Sequence, residues 1–196
     1  MKLSERVDAY NRKFHKFPKM WFDKGWILGI WNCGNDYKGS GYYGSYPPKY
    51  LERIGALFPD QKDVLHLFSG SLPPGAYTRF DRRPEMEPDV VGEAKDLLKH
   101  FQPGSFDIIY ADPPYSEADA NCYGTSLISR NQVVKDCWSL LKEDGFLCWM
   151  DQVLPMYSKD CLRRVGEIGI SRSTNHRVRF VFIFQKTSWK DLFNDL

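Results

Sequence analysis

Phe106-Asp107-Ile108-Ile109-Tyr110-Ala111-Asp112-Pro113-Pro114-Tyr115 reads as a buried strand cut off by a stiff loop. Ile108, Ile109 and Tyr110 supply the continuous apolar run of a buried strand. Neither proline has a backbone N–H to donate and both have fixed φ, so the strand must end at Asp112 and the loop beyond it is rigid. In an open α/β sheet, ligands bind at the carboxyl ends of the strands. A rigid loop there, with one carboxylate, free carbonyls and an aromatic ring, suits a planar molecule bearing an amino group, such as adenine or cytosine. That exocyclic amine is a weak nucleophile because its lone pair is delocalised into the ring. The Asp112 carboxylate and a proline-held carbonyl can accept its hydrogens, which localises the lone pair and stabilises the charge that develops as nitrogen attacks an electrophilic methyl group. Tyr115 can stack on the base, a contact worth about 1–3 kcal/mol. The same residue types also make an ordinary strand-ending turn.

A second pattern leads outward from the first. Val64-Leu65-His66-Leu67-Phe68-Ser69-Gly70-Ser71-Leu72 is another apolar strand pattern that ends in small residues and then Pro73-Pro74-Gly75. Small residues after a first strand let the backbone approach a ligand closely. Tyr77-Thr78-Arg79-Phe80-Asp81 reads as a second strand ending in an acid, the position that meets ribose hydroxyls in nucleotide-binding folds. Asp89-Val90-Val91-Gly92 reads as a third strand, followed by Glu93-Ala94. Ten residues separate Gly70 from Asp81, too few for the usual crossover helix. Pro73, Pro74 and Gly75 also disfavour a helix there.

In this order, the chain resembles the S-adenosylmethionine-dependent methyltransferases that modify amino groups of DNA bases. Asp112-Pro113-Pro114-Tyr115 looks like that family's catalytic loop, Phe68-Ser69-Gly70 its cofactor loop, Asp81 its ribose acid and Gly92-Glu93-Ala94 its adenine-contacting segment. Within the family this form of the catalytic loop goes mainly with the N6 amine of adenine; cytosine enzymes more often carry Ser at the first position. Tyr43-Gly44-Ser45-Tyr46-Pro47-Pro48-Lys49-Tyr50-Leu51, Asp112-Pro113-Pro114-Tyr115-Ser116 and Ser173-Thr174-Asn175-His176-Arg177 are similar to small single-domain members from phages and prophages. The likeness covers roughly residues 42–186. It implies a Rossmann-like class I methyltransferase, an α/β fold with a mainly parallel sheet and a C-terminal antiparallel hairpin. It implies one domain over 1–196, with 1–41 a basic and aromatic extension.

The implied cofactor is S-adenosyl-L-methionine, held by Tyr46, Pro47, Leu67, Phe68, Ser69, Gly70 and Ser71, with Asp81, Glu93, Ala94 and Asp112. The implied catalytic residues are Asp112, Pro113, Pro114 and Tyr115, and no metal is expected. Ser116, Asn175, His176 and Arg177 would contact the substrate, DNA in preference to RNA. Two other readings stay open: an RNA-base or protein-amide methyltransferase, although those usually carry Asn at the first loop position, and a non-catalytic nucleic-acid-binding relic of the fold. No separate target-recognition domain is visible, so sequence specificity would come from loops and termini.

Composition agrees with a globular domain of 196 residues that is 42% hydrophobic. The five cysteines form no C-x-x-C pair and are odd in number, which fits a reducing compartment. The N-terminus carries no signal-peptide pattern, and no apolar run approaches the roughly 20 residues of a membrane span. A cytoplasmic location is expected. The net charge of +2 hides a polarity. Residues 1–62 hold eleven basic and six acidic residues, 163–190 hold seven and one, and 81–151 hold seven and fourteen. Two basic ends around an acidic centre suit phosphate contacts flanking a cofactor site.

The other segments read around the same sheet. A loop over 46–49 leads into a helix ending near Phe58, and Val133, Val134, Cys137, Trp138, Leu140 and Leu141 have helical spacing that Glu143-Asp144-Gly145 should break. Phe146–Met150 reads as a strand that delivers Asp151 and Gln152 to the carboxyl edge. Glu167–Ser171 and Val178–Phe184 read as the closing hairpin, and its turn offers Asn175, His176 and Arg177 as donors to a base or phosphate. The aromatic residues of the N-terminal segment suit a core or lid, or stacking platforms.

Overall fold

The computed structural model describes residues 1–15, 19–33, 46–122, 127–172 and 178–187. In chain order its elements are α1 (Leu3–Lys13), β1 (Trp21–Asp23), β2 (Trp26–Cys33), α2 (Tyr50–Leu57), β3 (Val64–Leu67), β4 (Thr78–Asp81) and β5 (Val90–Val91). Then come α3 (Leu97–His100), β6 (Phe106–Ala111), α4 (Glu117–Cys122), α5 (Arg130–Leu140), β7 (Leu141–Asp151), β8 (Leu162–Arg172) and β9 (Val178–Lys186). All nine strands join one sheet in the order β1-β2-β8-β9-β7-β6-β3-β4-β5.

The centre is the run β5-β4-β3-β6-β7, parallel throughout. Read by chain position it is a 3-2-1-4-5 sheet, the Rossmann-like order, and its switch point lies between β3 and β6. β9 runs antiparallel to both β7 and β8, so the C-terminal hairpin inserts its last strand between β7 and β8. The mainly parallel sheet with a closing antiparallel hairpin is therefore as expected.

The strands form because both of their faces find cover. In β6, Ile108 and Tyr110 face a core layer under α1 and α2, while Ile109 and Ala111 face a layer under α3 and α5. All four are buried, which explains an apolar run without alternation. In α5 the buried stripe is Val133, Val134, Cys137 and Leu140, spaced as one helical face. Among the described residues no helix is long and apolar enough to cross a membrane.

Several element boundaries differ from expectation. β3 stops at Leu67, because Phe68 turns into the left-handed region at φ 59°. The third strand is only Val90–Val91. Glu143-Asp144-Gly145 does not separate helix from strand: α5 ends at Leu140 and β7 begins at once, running through all three residues. No helix joins β3 to β4, as the short spacing and prolines predict. The described residues among 1–33 build part of the sheet and its cover. α1 covers the sheet, and β2 pairs in parallel with β8, with Cys33 opposite Arg172. Tyr10, Phe14 and Trp31 are buried in the core, with the Tyr10 and Trp31 rings stacked at 5.7 Å, whereas Trp21 and Phe22 are exposed.

Arg6 secures α1. Its guanidinium lies 5.0 Å from the Phe58 ring and 4.8 Å from the Phe146 ring, and its two terminal nitrogens meet the Asp60 carboxylate at 2.5 and 3.0 Å. Burial alone would raise the Asp60 pKa, but the Arg6 hydrogen bonds outweigh it and hold this carboxyl well below the usual range. Asp60→Ala should cost about 3 kcal/mol, because it strands a charge that is almost wholly buried. Arg6→Met should cost about 1 kcal/mol, because the partly exposed Asp60 can rehydrate. Stability from the pair is present above the ordinary carboxylate pKa of about 4 and is lost as pH falls below it. Urea unfolding of both variants from pH 7 down to pH 2 checks the order and the sign.

Candidate active site

β3 to β7 run in one direction, so the residues following them share one edge. Phe68 follows β3, Glu93 lies two residues beyond β5 and Asp112 follows β6, while Asp81 and Asp151 close β4 and β7. At this edge Phe68, Phe80, Asp81, Glu93, Asp112 and Ile128 line a cleft, with Ala94 and Pro114 beside them. Gly92 forms part of the same wall and has no room for a side chain. A Cβ there would come within 2.9 Å of the Phe80 ring and 2.5 Å of His100 Nε2.

The turn after β3 is held by Asp81. Phe68 and Gly70 both adopt left-handed φ, at 59° and 51°. For a phenylalanine this conformation costs about 1–2 kcal/mol, a strain typical of ligand-binding turns. The Gly70 N–H donates to Asp81 Oδ2 at 2.8 Å, and Oδ1 accepts from the Arg83 N–H at 3.0 Å and from Arg83 Nε at 3.2 Å. Burial raises the Asp81 pKa, and the hydrogen bonds from Gly70 and Arg83 only partly offset it. Glu93, half-exposed, holds Arg82 Nε at 3.1 Å through one oxygen.

A second cleft lies on the other side of this turn, lined by Tyr46, Pro47, Lys49, Glu52, Ser69 and Ser71. The Tyr46 hydroxyl is 3.1 Å from His66 Nδ1. His66 is 3% exposed and is ringed by Tyr46, Tyr77 and Tyr110 at 5.7, 4.7 and 5.0 Å. Burial pushes its pKa down to about 4, so it is neutral at physiological pH. Burial, followed by the charge of Asp112, pushes the Tyr46 phenol well above its ordinary value. Asp112 thus lines the first cleft and acts electrostatically on a wall of the second.

Three contacts hold the loop after Asp112. The Tyr115 hydroxyl donates to Asp112 Oδ1, its carbonyl accepts from Arg130 Nη2 at 2.7 Å, and its ring lies 4.7 Å below the Arg179 guanidinium. Burial first, and then the Asp112 charge, raise the Tyr115 phenol well above its ordinary pKa, so it remains a donor. Arg130 is itself held by Asp151, with Nε to Oδ2 at 2.7 Å. The Asp151 carboxylate is fully buried and also accepts from Trp149 Nε1 at 3.2 Å and from the Gln152 and Val153 N–H groups at 2.7 and 3.3 Å. Among the described residues, no group of three or more His, Cys, Asp or Glu is placed to hold a metal.

The two clefts gather most of the residues singled out from the sequence. Phe68, Asp81, Glu93, Ala94, Asp112 and Pro114 line the first, and Tyr46, Pro47, Ser69 and Ser71 line the second. The Leu67 side chain lines neither cleft and is sealed in the core, because strand alternation turns it toward α5. Gly70, Pro113, Tyr115 and Ser116 lie outside both linings; Gly70 and Tyr115 act through the hydrogen bonds described, and Pro113 is buried. Asn175, His176 and Arg177 lie outside the described residues. The C-terminal basic cluster divides between opposite edges of the sheet. Arg172 and Arg179 sit at the site edge, whereas Arg163, Arg164 and Lys186 sit at the other, with Arg164 over the Trp26 ring at 4.7 Å. Arg130 and Arg179 escaped the sequence reading. Asp151 at the carboxyl edge was the available signal for Arg130, and nothing local marks Arg179.

No protein-family model matches the chain, and no curated protein matches it in sequence. Several solved structures are similar to it. An arsenic(III) S-adenosylmethionine methyltransferase from Chlamydomonas reinhardtii is 13% identical, over 64% of this chain and 63% of that one, with a TM-score of 0.40. This chain thus spans less than two thirds of that enzyme. A protein described for the conversion of a disulfide bond into a thioacetal group during echinomycin biosynthesis is 12% identical, over 74% and 83%, with a TM-score of 0.45. The CurJ carbon methyltransferase is 9% identical, over 70% and 53%, with a TM-score of 0.41. Likenesses this distant carry no argument about this chain; its own sheet order and carboxyl edge do.

Two outcomes are expected at the site. Unfolding restores the ordinary His66 pKa near 6.5, so the chain should lose about 3 kcal/mol as pH falls from 6.5 to 4. His66→Gln should flatten that part of the stability–pH curve. Arg130→Met should destabilise by about 3 kcal/mol, because Asp151 is left buried without its cation. Thermal unfolding at pH 7 measures the second effect, and Asp151→Leu combined with Arg130→Met should recover most of it.

Proposed function

We propose that this chain transfers the methyl group of S-adenosylmethionine to the exocyclic N6 amine of adenine in DNA. The observation that carries the reading is the position of Asp112. It is a half-buried carboxylate at the carboxyl end of a central parallel strand, on a loop stiffened by Pro113 and Pro114, lining one cleft and acting on a wall of the next. The donor set suits the two ends of the cofactor. Phe68, Phe80 and Ile128 provide apolar walls for an adenosyl group, and the second cleft offers Lys49, Glu52, Ser69 and Ser71 to the charged amino-acid end. Glu93 has the freer carboxylate and is assigned the ribose hydroxyls. Asp81 spends its lone pairs on Gly70 and Arg83 and so holds the turn in shape.

When bound, the cofactor supplies an electrophilic methyl group. The chain's own residues do the remainder. Asp112 and the Pro113 carbonyl accept hydrogen bonds from the two amine N–H groups, which localises the nitrogen lone pair and stabilises positive charge in the transition state. The electron pair of the broken bond stays with the sulfur, and the methylated nitrogen then gives up one proton to solvent. In the structure the neutral Tyr115 phenol donates to one Asp112 oxygen, so an incoming amine takes the place of that hydroxyl or uses the other oxygen. The Tyr115 ring then stacks on a base that has left the duplex or was single-stranded already.

Cofactor labelled in its methyl group, offered with duplex DNA, single-stranded DNA and RNA and followed by nucleoside digestion, tests the assignment. N6-methyldeoxyadenosine is the expected product. Label in RNA alone, in protein alone or in no acceptor overturns the DNA assignment. Asp112→Ala should lower turnover about 100- to 1000-fold while changing S-adenosylhomocysteine affinity only slightly. Gly70→Val forces a β-branched residue into left-handed φ and breaks the turn, so calorimetry should show that affinity reduced at least tenfold.

A further inference from the structure

Arg179 is a buried cation without an acid. It is 9% exposed, its Nε has no hydrogen-bond partner, and among the described residues it makes no ion pair. Arg6 and Arg79, buried to the same degree, each hold an aspartate: Asp60 and Asp89. Among the described residues its guanidinium faces the Tyr115 ring, 4.7 Å away. An aromatic face only partly replaces the water that a buried guanidinium has lost.

Its position gives the charge a use. Phe180 pairs with Asp151 at the end of β7, so Arg179, one residue earlier, stands at the very edge where the catalytic loop emerges. Strand alternation puts it on the face of Val181 and Ile183, over the Tyr115 ring. Tyr115 therefore has a cation on one face and only its other face left for a base. A strand whose base stacks on that ring must carry a phosphate past the guanidinium.

Building on the methyltransferase reading, we infer that Arg179 binds a backbone phosphate adjacent to the target adenine, and so links strand capture to the seating of Tyr115. A guanidinium suits that task, since its planar fork meets two phosphate oxygens at once, and partial burial strengthens the contact. Asp112 lies at the hydroxyl of the ring rather than against the cation, so the guanidinium charge is left for the substrate.

The test uses a fluorescent single-stranded oligodeoxynucleotide with one adenine, bound in the presence of S-adenosylhomocysteine between 50 and 200 mM salt. Arg179→Met should lower the slope of log affinity against log salt by about 0.7, the value for one phosphate on a single strand. It should raise the KM for methylation more than it lowers kcat, and Arg179→Lys should restore most of the slope. Wild-type protein should lose a similar slope when the linkages flanking the adenine are neutral methylphosphonates, a readout that needs no variant to fold. An unchanged slope with a reduced kcat makes Arg179 a prop for Tyr115 and overturns the inference, as does indifference to the methylphosphonates. Wild-type protein that neither binds nor methylates any nucleic acid overturns the methyltransferase reading as well; methylation without an Arg179 effect overturns this inference alone.

Discussion

Strands hydrogen-bonded in parallel must end on the same edge, and nearly everything of chemical interest here depends on that constraint. β3, β4, β5, β6 and β7 run together, so the strained Phe68 turn, Asp81, Glu93, Asp112 and Asp151 arrive within one rim although up to 83 residues separate them in the chain. β9 then enters between β7 and β8 in the opposite direction, so its amino end comes to the same rim. That reversal brings Arg179 to the loop after Asp112. A parallel last strand would have left its amino end on the far edge, where Arg163 and Arg164 lie.

The turn after β3 has no crossover helix behind it, and side chains supply the rigidity instead. Asp81 holds the Gly70 N–H, Arg79 binds both Asp89 and the Leu72 carbonyl, and Tyr77 donates to the Pro73 carbonyl at 2.6 Å. The Gly70–Asp81 and Leu72–Arg79 bonds tie the ten-residue connection to β4, Tyr77–Pro73 closes the connection on itself, and Asp89 holds Arg79 in place. With Pro73 and Pro74 in the same segment, the unfolded chain also has fewer conformations to lose. A short, stiff connection thus takes the place of a longer helical one.

A buried carboxylate serves as an anchor at two places in the rim. Asp81 has its oxygens filled by Gly70 and Arg83, and Asp151 by Arg130, Trp149, Gln152 and Val153. A buried charge is tolerated only when its partners are complete, and complete partners leave it one geometry. Asp151 in this way positions Arg130, and Arg130 positions the Tyr115 carbonyl. Asp112 differs in kind: it is less deeply buried than either, and one of its oxygens is met by the Tyr115 phenol.

The amino-acid sequence by itself determined what depends on local chemistry. The apolar runs at 64–67 and 106–111, the breaks at Phe68-Ser69-Gly70 and Asp112-Pro113-Pro114, and the spacing too short for a helix before Asp81 were all legible, because strand burial and proline geometry act over a few residues. The boundaries of β7 were not, since pairing with β6 and β9 carries that strand straight through Glu143-Asp144-Gly145, residues that would end an isolated element. The role of residues 1–33 was equally hidden, for Trp31 and Tyr10 become core only once β2 has paired with β8. Arg130 and Arg179 are the plainest cases. An arginine carries the same charge wherever it stands in a sequence. Only the folded sheet decides that one of them meets a sealed aspartate, while the other is buried against an aromatic ring with no acid beside it among the described residues.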